Sequence, residues 1–200
     1  MIAEVKPDRE FYLQDAVTLA EELIGYHLIR RVDDMELIMR VVETEAYCGP
    51  EDKASHAHSS GRTERTEPMY RAGGHSYVYL IYGIHCCFNV VAAGPKRPHA
   101  VLIRAAEPVR GLVQMKKNRQ ISGPGRTDLG SGPGRLCQAL KIDRRLSGLD
   151  LTETDEIFFS ENDEKRGKVE RARRINIDYA EEYRDKRWRF FDPDSSCLSR

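Results

Sequence analysis

Net charge is the first thing missing from this sequence: 32 Lys+Arg offset 32 Asp+Glu over 200 residues, leaving zero. Proteins that bind polyanions usually leave a basic footprint, so the total argues against such a partner. Long hydrophobic runs are missing too. No stretch approaches the ~20 apolar residues that span a bilayer, and no membrane crossing is expected. The opening residues MIAEVKPDREFYLQ hold no apolar core flanked by basic side chains, so no secretory signal is expected either. Cysteine is sparse and odd in number: Cys48, Cys86, Cys87, Cys137 and Cys197, with no CxxC spacing. That pattern fits no disulfide framework and points to a reduced, cytoplasmic protein whose cysteines pack as small hydrophobes. Internal repeats, low-complexity linkers and a regular βαβ alternation are also lacking. What is present, 40% apolar and 32% charged residues, suits one domain over residues 1–200. A chain of this length buries ~70% of its unfolded surface without staples.

The zero hides an uneven distribution. Residues 1–60 hold 6 basic and 13 acidic side chains, residues 61–150 hold 15 and 6, and residues 151–200 hold 11 and 13. The middle is therefore strongly basic, at +9. A polyanion feels a field within a Debye length of ~8–10 Å, so a local patch matters more than the total. The alternative is that opposite charges meet in space and cancel after folding.

Apolar residues at 17, 19, 20, 23 and 24, between a capping Asp15 and a stopping Gly25, predict a helix. Tyr26–Arg31 and Glu36–Tyr47 read as strands around an Asp33-Asp34 turn. Residues 48–73 form a long polar segment with room for short helices, and long loops in small domains are usually functional. His75–Tyr82 and His85–Ala92 are β-rich runs broken at Gly83 and Ile84, which predicts a hairpin with Tyr82 and Ile84 at its tip. Ala100–Ala105 reads as a strand, Pro108 to Arg119 and Leu136–Leu140 as helices. Strands are expected near Glu156–Ser160 and Arg173–Ile177, before an aromatic tail at Trp188, Phe190 and Phe191. The whole predicts an α+β domain: a curved antiparallel or barrel-like sheet with packed helices and a protruding β-hairpin.

Three segments hold candidate chemistry. In VVETEAYCGPEDKASHAH (41–58), strand alternation puts Val41, Glu43, Glu45 and Tyr47 on one face. Two buried carboxylates that close raise each other's pKa, and His56 and His58 follow; the alternative is a solvent-facing acidic strand. His56-x-His58 with Asp52 or Glu45 also admits a metal reading, although the spacing fixes no third ligand. In GHSYVYLIYGIHCCFNVV (74–91), Tyr77 and Tyr79 share one face and Tyr82 the other. Tyrosines there are good strand formers for a core, yet phenols at a hairpin tip also suit base stacking and insertion into a duplex. The loop ISGPGRTDLGSGPGR (121–135) lacks a Walker pattern. It can still offer backbone N–H groups and Arg135 to one DNA phosphate.

Taken together, VVETEAYCGPEDKASHA, GRTERTEPMY, GHSYVYLIYGIHCCFNVV, AVLIRAAEP and GPGRLCQAL, in this order, resemble the alkyladenine (methylpurine, 3-methyladenine) DNA glycosylase family. FYLQDAVTLAEELIG and the ends at Arg173–Ile177 and Trp188–Arg200 extend the likeness over nearly the whole chain. The resemblance implies a monofunctional N-glycosylase of base excision repair, without cofactor or metal. It would flip 3-methyladenine and 7-methylguanine, with ethenoadenine and hypoxanthine as further candidates, out of double-stranded DNA. It further implies that Glu45 activates the water attacking C1′ and that Arg104 lies near that water and the target phosphate. Tyr47, His56 and Tyr79 would wall the base pocket, and Asn89 would clash with the 2-amino group of normal guanine. Tyr82 would fill the gap left by the extruded nucleotide, with Ile84 beside it as a second wedge. A monomer working on the nucleoid is expected.

The sequence departs from relatives at Ile84, where some have Met; at His85, whose role stays open; and at Asn176, where many carry Gly. Asn tolerates the left-handed backbone that Gly would supply there. Two rival readings remain at this point: a non-catalytic binder of distorted DNA that uses only the Tyr82 wedge, and a metal-dependent hydrolase built on His56 and His58.

Overall fold

The computed structural model describes residues 5–122, 127–161 and 167–199. A short helix α1 (Arg9–Tyr12) leads into α2 (Ala16–Glu22), which Asp15 caps by accepting the N–H groups of Val17 and Thr18. Strands β1 (His27–Val32) and β2 (Met35–Cys48) follow around the Asp33-Asp34 turn, where both residues have positive φ. The long polar segment contains α3 (His56–Ser60) and a 3₁₀ turn at Glu67–Tyr70. Then come β3 (Ser76–Ile81), β4 (His85–Ala92), β5 (His99–Arg110), α4 (Leu112–Asn118) and α5 (Pro133–Ala139). The chain closes with β6 (Ile157–Ser160), β7 (Glu170–Ala172), a kinked 3₁₀ stretch at Asp178–Asp185 and β8 (Arg189–Phe191).

All pairings are antiparallel, in the order β3-β4-β5-β2-β1-β6. The long β2 is shared along one edge: its first half pairs with β1 and its second half with β8, which also pairs with β7. The result is a curled antiparallel half-barrel with helices packed on it, an α+β architecture. Its inner face, covered by α2 and α5, holds the main core, including Leu28, Met39, Val41, Phe88, Val90, Ile103 and Phe159. Each such side chain contributes ~1.5–3 kcal/mol on full burial.

Several expected elements differ. Pro108 does not open a helix; β5 runs on to Arg110, and Pro108 sits at a register irregularity opposite Met39, where a residue without an N–H is tolerated. The strand expected at Arg173–Ile177 lies earlier, at Glu170–Ala172, and 173–177 is irregular backbone. The hairpin turns at Tyr82-Gly83 rather than Gly83-Ile84, with φ of 53° and 73° and the Ile84 N–H closing on the Ile81 carbonyl at 3.2 Å. Two consecutive left-handed residues make the tight turn whose twist matches the strands it joins. Gly83 occupies such a position at no steric cost, whereas Tyr82 is held there at ~1–2 kcal/mol.

A double bulge changes which residues face the core. Val41 pairs with Ala106 and Glu43 with Ala105, so Val42 has no partner; Thr44 then pairs with Ile103, so Arg104 has none. Each bulge shifts its strand's alternation by one residue. Val41, expected beside Glu43, is instead in the main core, while Val42 and Ala105 form a small outer cluster with Cys197. Glu43, Glu45, Tyr47 and Arg104 all face outward as a consequence.

Candidate active site

The outward face of four strands builds the site in register. Tyr77 pairs with Asn89, Asn89 with Leu102 and Leu102 with Glu45, so these residues form one row across β3, β4, β5 and β2. The neighbouring rows add Tyr79 beside Cys87, and Tyr47 beside Ala100. The row closes one wall of a cavity of about 370 Å³ lined by Tyr47, His56, Tyr77, Tyr79, Asn89 and Arg104, among others.

Glu45 lies immediately behind the floor of this cavity, with no exposed surface. Its Oε1 accepts the Ile175 N–H at 2.7 Å; its Oε2 accepts the Tyr47 hydroxyl at 2.8 Å and Arg104 Nη1 at 3.2 Å. Those three donors belong to residues that line the cavity themselves. A carboxylate offers about four acceptor positions, so one is left for a further donor. Burial raises the Glu45 pKa above its ordinary value, against the lowering pull of Arg104, the Ile175 N–H and the Tyr47 hydroxyl; neighbouring Glu43 adds a smaller raising influence. Tyr47 itself is pushed well above its ordinary range, chiefly by burial, and stays a donor.

The Ile175 N–H is delivered by the irregular stretch that sequence periodicity mistakes for a strand. Neighbouring Asn176 has a φ of 59°, a left-handed conformation that Asn adopts more readily than most residues. Arg174 anchors this stretch. Its fully buried guanidinium grips Asp52 through Nη1–Oδ2 at 2.5 Å and Nη2–Oδ1 at 2.9 Å, and Nη1 also donates to the Ala46 carbonyl. Asp52 in turn accepts the N–H groups of Cys48 and Ala54, and Arg174 lies over the Tyr47 ring with 4.7 Å to its centroid. The pair thus ties both flanking loops to the row that holds Glu45. Sequence reading named Asp52 only as a metal ligand and missed Arg174. One arginine among several in a polar tail gives no signal for a partner 122 residues away.

His56 opens α3, which Ser55 caps, and meets Tyr79 edge-on, with centroids 4.5 Å apart. Its Nδ1 is 2.9 Å from the Tyr77 hydroxyl and its Nε2 is 3.3 Å from Arg65. Burial, with Arg65 adding to it, lowers its pKa to about 4, so the ring is neutral at neutral pH. Tyr79 is raised well above its ordinary value by burial and carries Arg65 over its ring at 5.2 Å. Asn89 is buried, and its amide donates to the Tyr77 carbonyl at 3.0 Å and the Cys87 carbonyl at 3.4 Å. Cys86 and Cys87 point to opposite faces, the first against the main core and the second into the cavity.

The hairpin tip carries Tyr82, 81% exposed, and Ile84, 71% exposed. Tyr82 is at the cavity mouth, whereas Ile84 lies on the far side of the hairpin. Exposed Tyr179 also lines the mouth, a residue sequence reading did not single out.

Arg135 is not part of this cavity. It pairs with Asp128 at 3.1 Å and donates to Ser131 at 3.0 Å. Gly132 to Gly134 instead reach the mouth, and α5 begins at Pro133, earlier than expected. Residues 123–126 of the Gly-rich loop lie outside the described residues. The metal cluster is not assembled either: His58 Nδ1 is 2.8 Å from the Pro50 carbonyl, Asp52 is taken by Arg174, and no group of three ligand types occurs among the described residues. Several cations of the basic middle are paired with acids from the N-terminal segment, as in Arg110–Glu36, Lys141–Asp33 and Arg104–Glu43. Cancellation in space therefore accounts for part of the +9. No helix among the described residues is long and apolar enough to cross a membrane.

Comparison with known proteins agrees with the geometry. Residues 10–196 match the family described as Methylpurine-DNA glycosylase (MPG). A protein of Natranaerobius thermophilus is 52% identical over 196 residues, covering 98% of this chain and 99% of its own length. One from Desulfitobacterium hafniense is 44% identical, covering 96% and 97%, and one from Borreliella burgdorferi is 43% identical, covering 96% and 99%. All three bear the name "Putative 3-methyladenine DNA glycosylase".

Proposed function

The chain belongs to the methylpurine-DNA glycosylase family and is a DNA glycosylase, a hydrolase; from that premise we propose that it excises N-alkylated purines from duplex DNA by base flipping. The substrates are 3-methyladenine and 7-methylguanine, with ethenoadenine and hypoxanthine as further ones. The single observation that carries this reading is Glu45, a buried carboxylate held by three donors behind an aromatic-walled cavity.

Chemistry at C1′ within a stacked duplex requires extrusion, at a few kcal/mol of lost stacking. Tyr82, exposed and preset in a tight turn, fills the vacated gap and offsets part of that cost. The extruded base enters between Tyr47, His56 and Tyr79. An N3- or N7-alkylated purine is cationic, and neutral aromatic faces attract cations; the depressed pKa of His56 keeps that wall uncharged. Asn89, fixed by two carbonyls, crowds the 2-amino group of guanine. Water then attacks C1′ and gives a proton to Glu45, while the glycosidic electron pair leaves with the base and cancels its positive charge. A base whose pKa lies above the ordinary carboxylate value is better matched to neutral pH. Glu45 also faces the positive charge developing on the sugar, and Arg104 supports the attacking water and the nearby phosphate. No lysine lines the cavity among the described residues, consistent with hydrolysis that leaves an abasic site in an intact strand. The protein acts on the nucleoid as a monomer.

The test is to incubate the protein with methylated duplex DNA, identify the released base by chromatography and probe the strand for alkali-labile sites. Free 3-methyladenine with one new alkali-labile site per base released supports the reading. DNA binding without any base release would replace it with a damage-binding role, and direct strand nicking would contradict the monofunctional mechanism.

A further inference from the structure

The segment after β8 folds back onto the double bulge. The Asp192 N–H donates to the carbonyl of Val42 at 3.0 Å, and Cys197 and Leu198 pack against Val42 and Ala105. This lays Ser199 between Glu43 and Arg104. Its backbone N–H donates to Glu43 Oε2 at 2.6 Å and its hydroxyl to Glu43 Oε1 at 2.9 Å. The same hydroxyl oxygen accepts Arg104 Nε at 3.1 Å and Nη2 at 3.0 Å. A hydroxyl has one donor and two acceptor positions, and all three are used. Arg104 Nε is shared with Glu43 Oε1 at 3.3 Å, which leaves Nη1 to meet Glu45 at 3.2 Å.

The guanidinium is a rigid planar fork, so holding Nε and Nη2 on one side dictates where Nη1 points. We propose that Ser199 is a positioning residue: with Glu43 it clamps Arg104 so that Nη1 alone is presented to Glu45. This rests on the reading of Glu45 as the base. Ser199 borders the cavity but acts through Arg104. Without the hydroxyl, Nε and Nη2 close on Glu43 as a two-point pair and Nη1 swings away from Glu45. Glu45 then lacks its nearest cation and takes up a proton at higher pH.

The experiment measures single-turnover release of 3-methyladenine from methylated duplex DNA across pH. It uses the full chain as wild type, Ser199→Ala, Ser199→Thr, Arg104→Ala and the Ser199→Ala/Arg104→Ala double variant. Rates are taken per folded molecule, with the folded fraction from thermal unfolding. Removing a hydroxyl whose hydrogen bonds all go to charged groups is expected to slow Ser199→Ala ~10-fold at neutral pH. Duplex affinity stays unchanged, and the acid limb of the rate profile moves to higher pH. Ser199→Thr keeps the hydroxyl and restores rate and profile. In the Arg104→Ala background the Ser199 change has no further effect. A wild-type rate in Ser199→Ala, an equal loss in Ser199→Thr, or a further loss on top of Arg104→Ala overturns the proposal. A wild type that releases no base overturns the functional reading, and this inference with it.

Discussion

On strands β2 to β5 the inward face presents Met39, Val41, Phe88, Val90 and Ile103, all fully buried under helices. The outward face of the same strands presents Glu43, Glu45, Asn89 and Arg104, also buried but each held by named hydrogen bonds. The inner contacts are non-directional, and many weak ones share the load. The outer contacts are directional, and a lost partner leaves a polar group stranded. The comparison teaches that one sheet can separate stability from chemistry by face, with the double bulge as the point where the strands change parity.

Phe88→Ala, on the inner face, is expected to lower stability by ~3–5 kcal/mol in denaturant unfolding while leaving base release per folded molecule near wild type. Arg174→Ala is the exception on the outer side. It strands Asp52 in the interior and is expected to cost a similar ~3–5 kcal/mol, together with activity, because Ile175 loses its anchorage beside Glu45. If Arg174→Ala unfolds like wild type, the pair is not the scaffold described above.

Tyr82 sharpens the contrast, since it is exposed at the hairpin tip and lies outside the core. Tyr82→Ala is expected to weaken damaged-duplex binding ~10-fold or more, in line with ~1–3 kcal/mol per stacking side chain, with little effect on free-base binding. Equal losses in both titrations would remove its wedge role. Tyr82→Gly releases the left-handed strain and is expected to raise stability by up to ~1 kcal/mol while lowering activity, which thermal unfolding and base-release assays can separate.

The smallest expected effect concerns His56. Its folded pKa of about 4 lies below the ordinary 6.5, so the unfolded chain takes the proton first as pH falls. The stability contribution is complete above ~6.5 and is lost as pH drops towards ~4. Replacing His56 with Gln should flatten that slope in unfolding measured between these values. An unchanged slope would mean that the ring is not held neutral.

Much of this organisation is legible in the sequence because it is local. Asp15 and Gly25 bracket α2, the apolar runs mark β1 to β5, and the ordered motifs identify the cavity side chains Tyr47, His56, Tyr79 and Asn89. What escapes is non-local or breaks periodicity. Strict alternation puts Val41 with Glu43, and no residue near Val42 signals a bulge that also depends on Arg104 across the ladder. Pro108 looks like a helix start because its tolerance in a strand depends on the irregular register opposite Met39. Arg174 and Ser199 reach Glu45 only through contacts with distant residues. The charge total misleads for the same reason. Several basic residues of the middle segment find acidic partners in space, and Arg104 is paired with Glu43 and Glu45 at the cavity.

The most direct test of the central claim compares wild type with Glu45→Gln in base release from methylated duplex DNA, with duplex affinity and unfolding measured on the same samples. Loss of a general base at this position is expected to slow release ~10²–10⁴-fold, with affinity for the damaged duplex retained and the protein still folded. Release from Glu45→Gln at the wild-type rate would contradict the account and move the chemistry away from the carboxylate behind the aromatic cavity.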